Sequence, residues 1–139
     1  MPYDPANIFA KILRGEIPAE KIFEDADTLA FMDIMPRADG HCLVIPKQAA
    51  VNILDIVPES LAAVSRTVQR VARAAMIALN AEGIKLEQYN EAPAGQEVFH
   101  LHVHILPRWT GVKLRSPGVM GDKAVIAVHA EKLRAALKN

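Results

Sequence analysis

His100, His102 and His104 stand at alternate positions in the run Val98-Phe99-His100-Leu101-His102-Val103-His104-Ile105-Leu106-Pro107. An extended strand turns successive side chains to opposite faces. The spacing therefore predicts three imidazoles on one face and Phe99, Leu101, Val103 and Ile105 on the other. Successive histidines would lie roughly 6.5–7 Å apart along such a strand. Three rings that titrate near neutrality suit chemistry better than packing, where Thr or Lys would serve. Imidazoles at i and i+2 can chelate zinc. One can act as general acid or base with the others in support. A neutral ring can also attack phosphorus while its neighbours offset charge on the phosphate oxygens. Spacing leaves all three open. Gly95-Gln96, just ahead of the row, offers exposed backbone N–H groups of the kind that bind anions. No carboxylate lies at metal-ligand spacing within the row itself, although Glu97 is near.

The rest of the chain supplies the elements that must hold this row. Asp4-Pro5 followed by Ile8, Phe9, Ile12 and Leu13 predicts a short helix, with Asp4 as N-cap and Gly15 as its stop. Ala19–Asp25 and Thr28–Asp33 read as two strands of a hairpin joined by an acidic turn. The turn cluster Pro36-Arg37-Ala38-Asp39-Gly40 leads into a third strand, His41–Ile45, which Pro46 ends. A long helix is expected from Pro58 to Ala81. Leu61, Val64, Val68, Val71, Ala75 and Leu79 form its inner stripe, Arg66, Gln69, Arg70 and Arg73 lie largely outside it, and Gly83 is its stop. Ile84–Asn90 is a fourth strand, and the loop Glu91–Gln96 delivers the chain into the histidine row. Past Trp109 a Gly/Pro-rich stretch runs to Asp122, then a short helix near His129–Leu137. Strands joined mostly by short turns, with one long helix between the third and fourth, indicate an α+β fold on an antiparallel sheet.

With 139 residues, 51% of them hydrophobic, the chain is read as one domain over 1–139 that needs no disulfide to build a core. Sixteen basic and sixteen acidic residues balance, so no global field recruits nucleic acid or an anionic membrane, and any phosphate site must be local. Cys42 is the single cysteine, which excludes an intrachain disulfide. It alternates with His41 and is expected to face the core. No stretch approaches the roughly 20 apolar residues of a membrane span. The N-terminus lacks the charged and apolar regions of a signal peptide, so a cytoplasmic place is expected.

The run from Gly95-Gln96 through His104-Ile105-Leu106-Pro107-Arg108 resembles the signature of the histidine-triad (HIT) superfamily of nucleotide hydrolases and transferases. Ile8-Phe9-x-Lys11-Ile12-x-x-Gly15-Glu16-Ile17-Pro18-Ala19 resembles the family's N-terminal segment. Phe31-x-Asp33-Ile34 and Gly40-His41-x-Leu43-Val44-Ile45-Pro46-Lys47 resemble its central hairpin. The likeness covers about residues 7–109, leaving 110–139 as an extension with the short helix.

The resemblance implies a five-stranded antiparallel sheet with one long and one short helix, paired in a homodimer into a continuous ten-stranded sheet. It implies that His102 is the nucleophile, forming a covalent nucleotidyl-histidine that water resolves. His104 would contact phosphate oxygens, and His100 and His41 would support the row by hydrogen bonding. Asp33 would accept from the ribose hydroxyls, with Ile34 and Phe31 beside the nucleoside. Asn90, Gln96 and the backbone N–H of Val98 would help hold the phosphate of a purine nucleotide. Glu97 stands where many relatives carry Ser or Thr, and it is expected to point to solvent. Asn7, Ala10 and Ala49 occupy three positions at which some bacterial relatives ligate structural zinc, so neither metal nor cofactor is expected. His129 lies outside every matching block and reads as a surface residue. Trp109 is left between a dimer interface and the ligand. The activity implied is cleavage at the α-phosphate of nucleoside 5′-phosphoramidates or related nucleotidyl compounds. Dinucleoside polyphosphate hydrolysis is one alternative, and nucleotide binding with vestigial activity is another.

Overall fold

The computed structural model describes residues 2–138. Five antiparallel strands, β1 (Lys21–Glu24), β2 (Thr28–Met32), β3 (Cys42–Pro46), β4 (Gly83–Glu87) and β5 (Val103–Arg108), form one sheet in the order β1-β2-β3-β5-β4. Three α-helices accompany it, α1 (Ile8–Leu13), α2 (Pro58–Ala78) and α3 (Lys123–Leu137). Two of them are long, not one. α3 has 15 residues and starts well before the expected point, because Asp122 caps the N–H groups of Ala124 and Val125.

β2 and β3 are buried on both faces, which is why their sequences run apolar without alternation. Ala30, Met32, Cys42 and Val44 face a core completed by Val64, Val68, Val71 and Ala75 of α2 and by Ile126, Ala130 and Leu133 of α3. Leu29, Phe31, Leu43 and Ile45 face the other way, under Phe9 and Ile12 of α1. The inner stripe of α2 is as the periodicity predicts, and Arg66, Gln69, Arg70 and Arg73 are exposed. A buried hydroxyl pair at 2.7 Å, Thr28 with Thr67, ties α2 to β2. No helix among the described residues is long and apolar enough to cross a membrane.

Several boundaries differ from the sequence reading. Asn7, not Asp4, caps α1, accepting from the Ala10 N–H at 2.9 Å; Asp4 instead closes the preceding turn on Ala6. α2 ends at Ala78, and Asn80 just past its cap takes the left-handed conformation (φ 51°), so Gly83 is free to begin β4. The histidine strand is shorter than expected, with six residues. β5 begins only at Val103 because β3 pairs with it through Val44↔Val103 and no further, and the Leu101 N–H turns to the Ala50 carbonyl at 2.9 Å. His100 and His102 thus lie on irregular chain leading into the sheet, with His104 alone inside it.

Candidate active site

The sheet register lays out the floor of a cleft. Phe31 pairs with Leu43, Leu43 with His104, and His104 with Glu87, so these four side chains cross one face of the sheet from apolar to polar. The face-sharing of the histidines survives the short strand. Leu101 and Ile105 enter the core below, while His102 and His104 line a cavity of about 480 Å³ above. Phe9 from α1 packs edge-on against Phe31 and His102, at ring-centroid distances of 5.5 and 4.9 Å. Ile8, Phe9, Ile12, Phe31 and Leu43 make the apolar end, and Arg37, Glu87, Tyr89 and Glu97 border the polar part.

Hydrogen-bond partners decide which nitrogen of each histidine carries a proton. The Arg37 N–H can only donate, so Nδ1 of His41 accepts it at 3.0 Å and the proton of His41 sits on Nε2. That Nε2–H lies 3.0 Å from Nδ1 of His104, with an Asp33 carboxylate oxygen at 3.4 Å. Nδ1 of His104 is therefore an acceptor and its Nε2 bears hydrogen. Nε2–H of His100 donates to the Pro46 carbonyl at 2.8 Å, and Nδ1–H of His102 donates to the His100 carbonyl at 2.7 Å. The consequence is specific. His102 presents a bare Nε2 lone pair, and His104, 5.0 Å away between ring centroids, presents an N–H donor.

Burial keeps these rings neutral. It lowers His41 to about 3 and His104 to about 4, with neighbouring positive character from His104 and His102 respectively adding to the effect. Burial also lowers His100 and His102, against the raising influence of the carbonyls they bond. Burial pushes the Asp33 carboxyl up, countered by the Met35 N–H that it accepts at 2.8 Å. Burial works to raise Glu87 too, but the Tyr89 hydroxyl, Lys85 and Arg37 outweigh it and hold that carboxyl below the ordinary range.

Asp33, His41 and His104 offer three ligand atoms within 4.8 Å of one another. Their chemistry fits a hydrogen-bond chain better than a metal site, because the Arg37 amide leaves the inward nitrogen of His41 protonated and without a lone pair. At the positions linked to zinc in some relatives, Asn7 is spent as a helix cap, Ala10 is buried, and Ala49 is exposed. Cys42 is buried, and burial raises its thiol to about 12, which leaves it inert.

Of the residues singled out in the sequence, His102, His104, Asp33, Phe31, Ile34, Glu97 and Val98 line the cleft. Glu97 is exposed at its rim. His100 and His41 sit behind them, fully buried. The side chains of Gln96 and Asn90 do not reach the cleft. Gln96 is 3% exposed and consumed by Asn52, Glu91, Val51 and Val98. It is thereby the keystone of the Glu91–Gln96 loop. Asn90 accepts from the Ile53 N–H and exchanges bonds with Gln88. Trp109 does not line the cleft; its indole donates to the Asn80 carbonyl at 2.9 Å. His129 is half-buried beside a second hollow under α3, not simply on the surface. The sequence reading passed over Arg37, Glu87, Tyr89 and Pro117. Glu87 and Tyr89 alternate as strand neighbours do, a signal that was present; Pro117 arrives from the C-terminal extension and had none.

The model of the HIT domain matches residues 14–111. The chain belongs to the HIT family. Its superfamily comprises nucleotide hydrolases and transferases, the class that the resemblance of the histidine run implied. An uncharacterized HIT-like protein of Mycobacterium tuberculosis is 42% identical over 107 residues, covering 77% of this chain and 74% of that one. An Arabidopsis thaliana adenylylsulfatase is 35% identical over 122 residues, covering 84% of this chain and 62% of that protein. Among solved structures, a Hit-like protein from Bartonella henselae, described as involved in cell-cycle regulation and solved with an unknown ligand, superposes with a TM-score of 0.94. The two are 47% identical, covering 98% and 99% of the respective chains.

Proposed function

We propose that this HIT protein hydrolyses nucleotidyl compounds, nucleoside 5′-phosphoramidates foremost, at the α-phosphate through His102. The observation that carries this reading is the tautomer chain. The His100 carbonyl holds the His102 proton on Nδ1, so in a ring that lines the cleft Nε2 keeps its lone pair without needing a base to expose it. That lone pair forms a bond to the α-phosphorus, and the phosphorus–nitrogen (or phosphorus–oxygen) bond to the leaving group breaks. The leaving group departs with the bonding electrons and takes a proton from water. Water then attacks the nucleotidyl-histidine, giving the nucleoside monophosphate and regenerating the ring. Nε2–H of His104, polarised through His41 and Asp33, donates to a non-bridging oxygen as charge builds there.

The apolar end of the cleft suits a purine base, with Ile34 and Phe31 at the nucleoside and Asp33 at the ribose. The backbone N–H of Val98 is the phosphate contact supported by position, since Gln96 and Asn90 act through the loop they brace. The adenylylsulfatase relative supports an adenylyl compound as substrate and adds phosphosulfates to those worth assaying. Dinucleoside polyphosphates remain the second substrate class of the same reading. No metal or cofactor takes part in it. The same reading places one such domain per chain in the cytoplasm, as a homodimer.

His102→Ala is expected to lower kcat at least about a thousandfold while nucleotide affinity stays within about threefold, read by released monophosphate and by calorimetry with adenosine monophosphate. Near wild-type turnover in that variant would refute the covalent mechanism. A wild-type protein that binds the monophosphate tightly but gives neither burst nor turnover would identify a binding protein instead.

A further inference from the structure

Tyr3 lies outside every segment that marks the family, yet its hydroxyl is 2.7 Å from Nδ1 of His100, 97 residues away. The rings meet edge to face at 5.6 Å. Nε2–H of His100 is already committed to the Pro46 carbonyl at 2.8 Å, so Nδ1 has a lone pair and the Tyr3 O–H is the donor. His100 is thus gripped at both ring nitrogens while wholly buried.

We propose that Tyr3 is a positioning residue for the reaction: its hydroxyl clamps His100 so that the His100 carbonyl stays aimed at Nδ1 of His102 and the attacking nitrogen stays bare. The sheet ladder ends before it reaches His100. Residues 98–102 precede β5 and have no strand partner, so sheet hydrogen bonds do not orient the His100 carbonyl. The Leu101 N–H to Ala50 and the two bonds of the His100 ring do that work. Of these three, the Tyr3 bond alone comes from outside the span matched by the family model, 97 residues away along the chain. A neutral imidazole has two tautomers of similar energy, and the partner on one nitrogen selects between them. Losing the donor on His100 loosens the carbonyl that makes this selection for His102.

This proposal rests on His102 being the nucleophile, and its test separates the two. In Tyr3→Phe the ring and its packing remain and only the donor is lost. Without any substrate, the 15N resonances of the His102 ring should move toward each other, as the Nδ1–H form gives way to a mixture. With a nucleoside phosphoramidate, kcat should fall about three- to tenfold, the weight of one hydrogen bond, with KM nearly unchanged. Tyr3→Leu, which keeps apolar cover, should reproduce both effects. Unmoved His102 resonances overturn the proposal whatever the rate does. Moved resonances with a wild-type kcat overturn it as well, by removing the catalytic consequence. Failure of the covalent mechanism would show separately, as turnover by His102→Ala.

Discussion

At the scale of residues, the site is a set of four neutral imidazoles, three with protons placed by backbone groups and the fourth, His104, by the ring of His41. The Arg37 amide, the Pro46 carbonyl and the His100 carbonyl each permit a single direction of hydrogen bond, so His41, His100 and His102 have no choice of tautomer. Burial then holds the rings uncharged well below the ordinary histidine range, to about 3 at His41 and about 4 at His104. The sign of the pH dependence follows. The proposed nucleophile must be neutral, and burial that lowers the pKa of His102 keeps it so, hence kcat/KM should decline only on acidification below the ordinary histidine range. Stability runs in the same direction. Unfolded histidines take up protons near 6.5 while these folded ones do not, so stability is complete above that pH and drains as pH falls toward the folded values. Parallel measurements of phosphoramidate turnover and of denaturant midpoint between pH 4 and 8 check both limbs. An acid limb centred at 6.5 or above would contradict the neutral-ring account.

At the scale of elements, the loop between β2 and β3 matters most, because it starts at Asp33 and ends at His41. Gly40 sits in it with φ +79°, and a Cβ there would meet Leu79 Cδ1 of the α2 end at 2.2 Å and Pro107 Cγ of β5 at 3.3 Å. Side-chain motion of Leu79 can relieve the contact but not the backbone conformation. Gly40→Ala should therefore cost about 1–3 kcal/mol of stability, read as a lower denaturant midpoint at unchanged slope. It should also reduce turnover, since His41 is the next residue. The loop after β4 is held differently, by a buried amide. Gln96 accepts from Asn52 and from the Glu91 N–H, and donates to two carbonyls, so its value lies in keeping Val98 and the cleft wall in register.

At the scale of the whole molecule two features matter, and the first lies beyond the span matched by the family model. The chain after Trp109 runs back along the Asp33–His41 loop, with the Arg115 N–H on the Arg37 carbonyl and the Gly121 N–H on the Ile34 carbonyl, both at 2.8 Å. Arg115 also pairs with Asp39, and Pro117 becomes part of the cleft wall. The extension is thus a brace for the loop that carries Asp33 and His41. The second feature is the open edge at β4. Leu86 there is 52% exposed, beside an apolar hollow lined by Leu61, Val64 and Val68 of α2 and by Ile84 and Val103. An unpaired edge strand with apolar cover is a liability for a lone subunit. The proposed homodimer, with two sheets joined edge to edge, would cover it. Leu86→Asp should then shift the protein from dimer to monomer in size-exclusion chromatography with light scattering; a wild-type monomer, or a dimer untouched by the change, would exclude this edge as the interface.

The histidine period, the continuous apolar runs of β2 and β3 and the inner stripe of α2 were all legible in the sequence, because each depends on one segment's own repeat. His102 and His104 line the same cleft as their alternation predicts, while His100 sits buried behind them. What the sequence left undetermined has a single physical cause: it depends on groups that meet only when distant segments pack. The length of β5 is set by where β3 stops pairing. The tautomer of His100 is set by the Pro46 carbonyl and that of His104 by the ring of His41, each on another segment, and the grip on His100 comes from the Tyr3 hydroxyl, 97 residues away. Gln96 and Asn90 were legible as loop residues beside a phosphate site, but only their packing against Asn52, Val51 and Ile53 turned their side chains away from it.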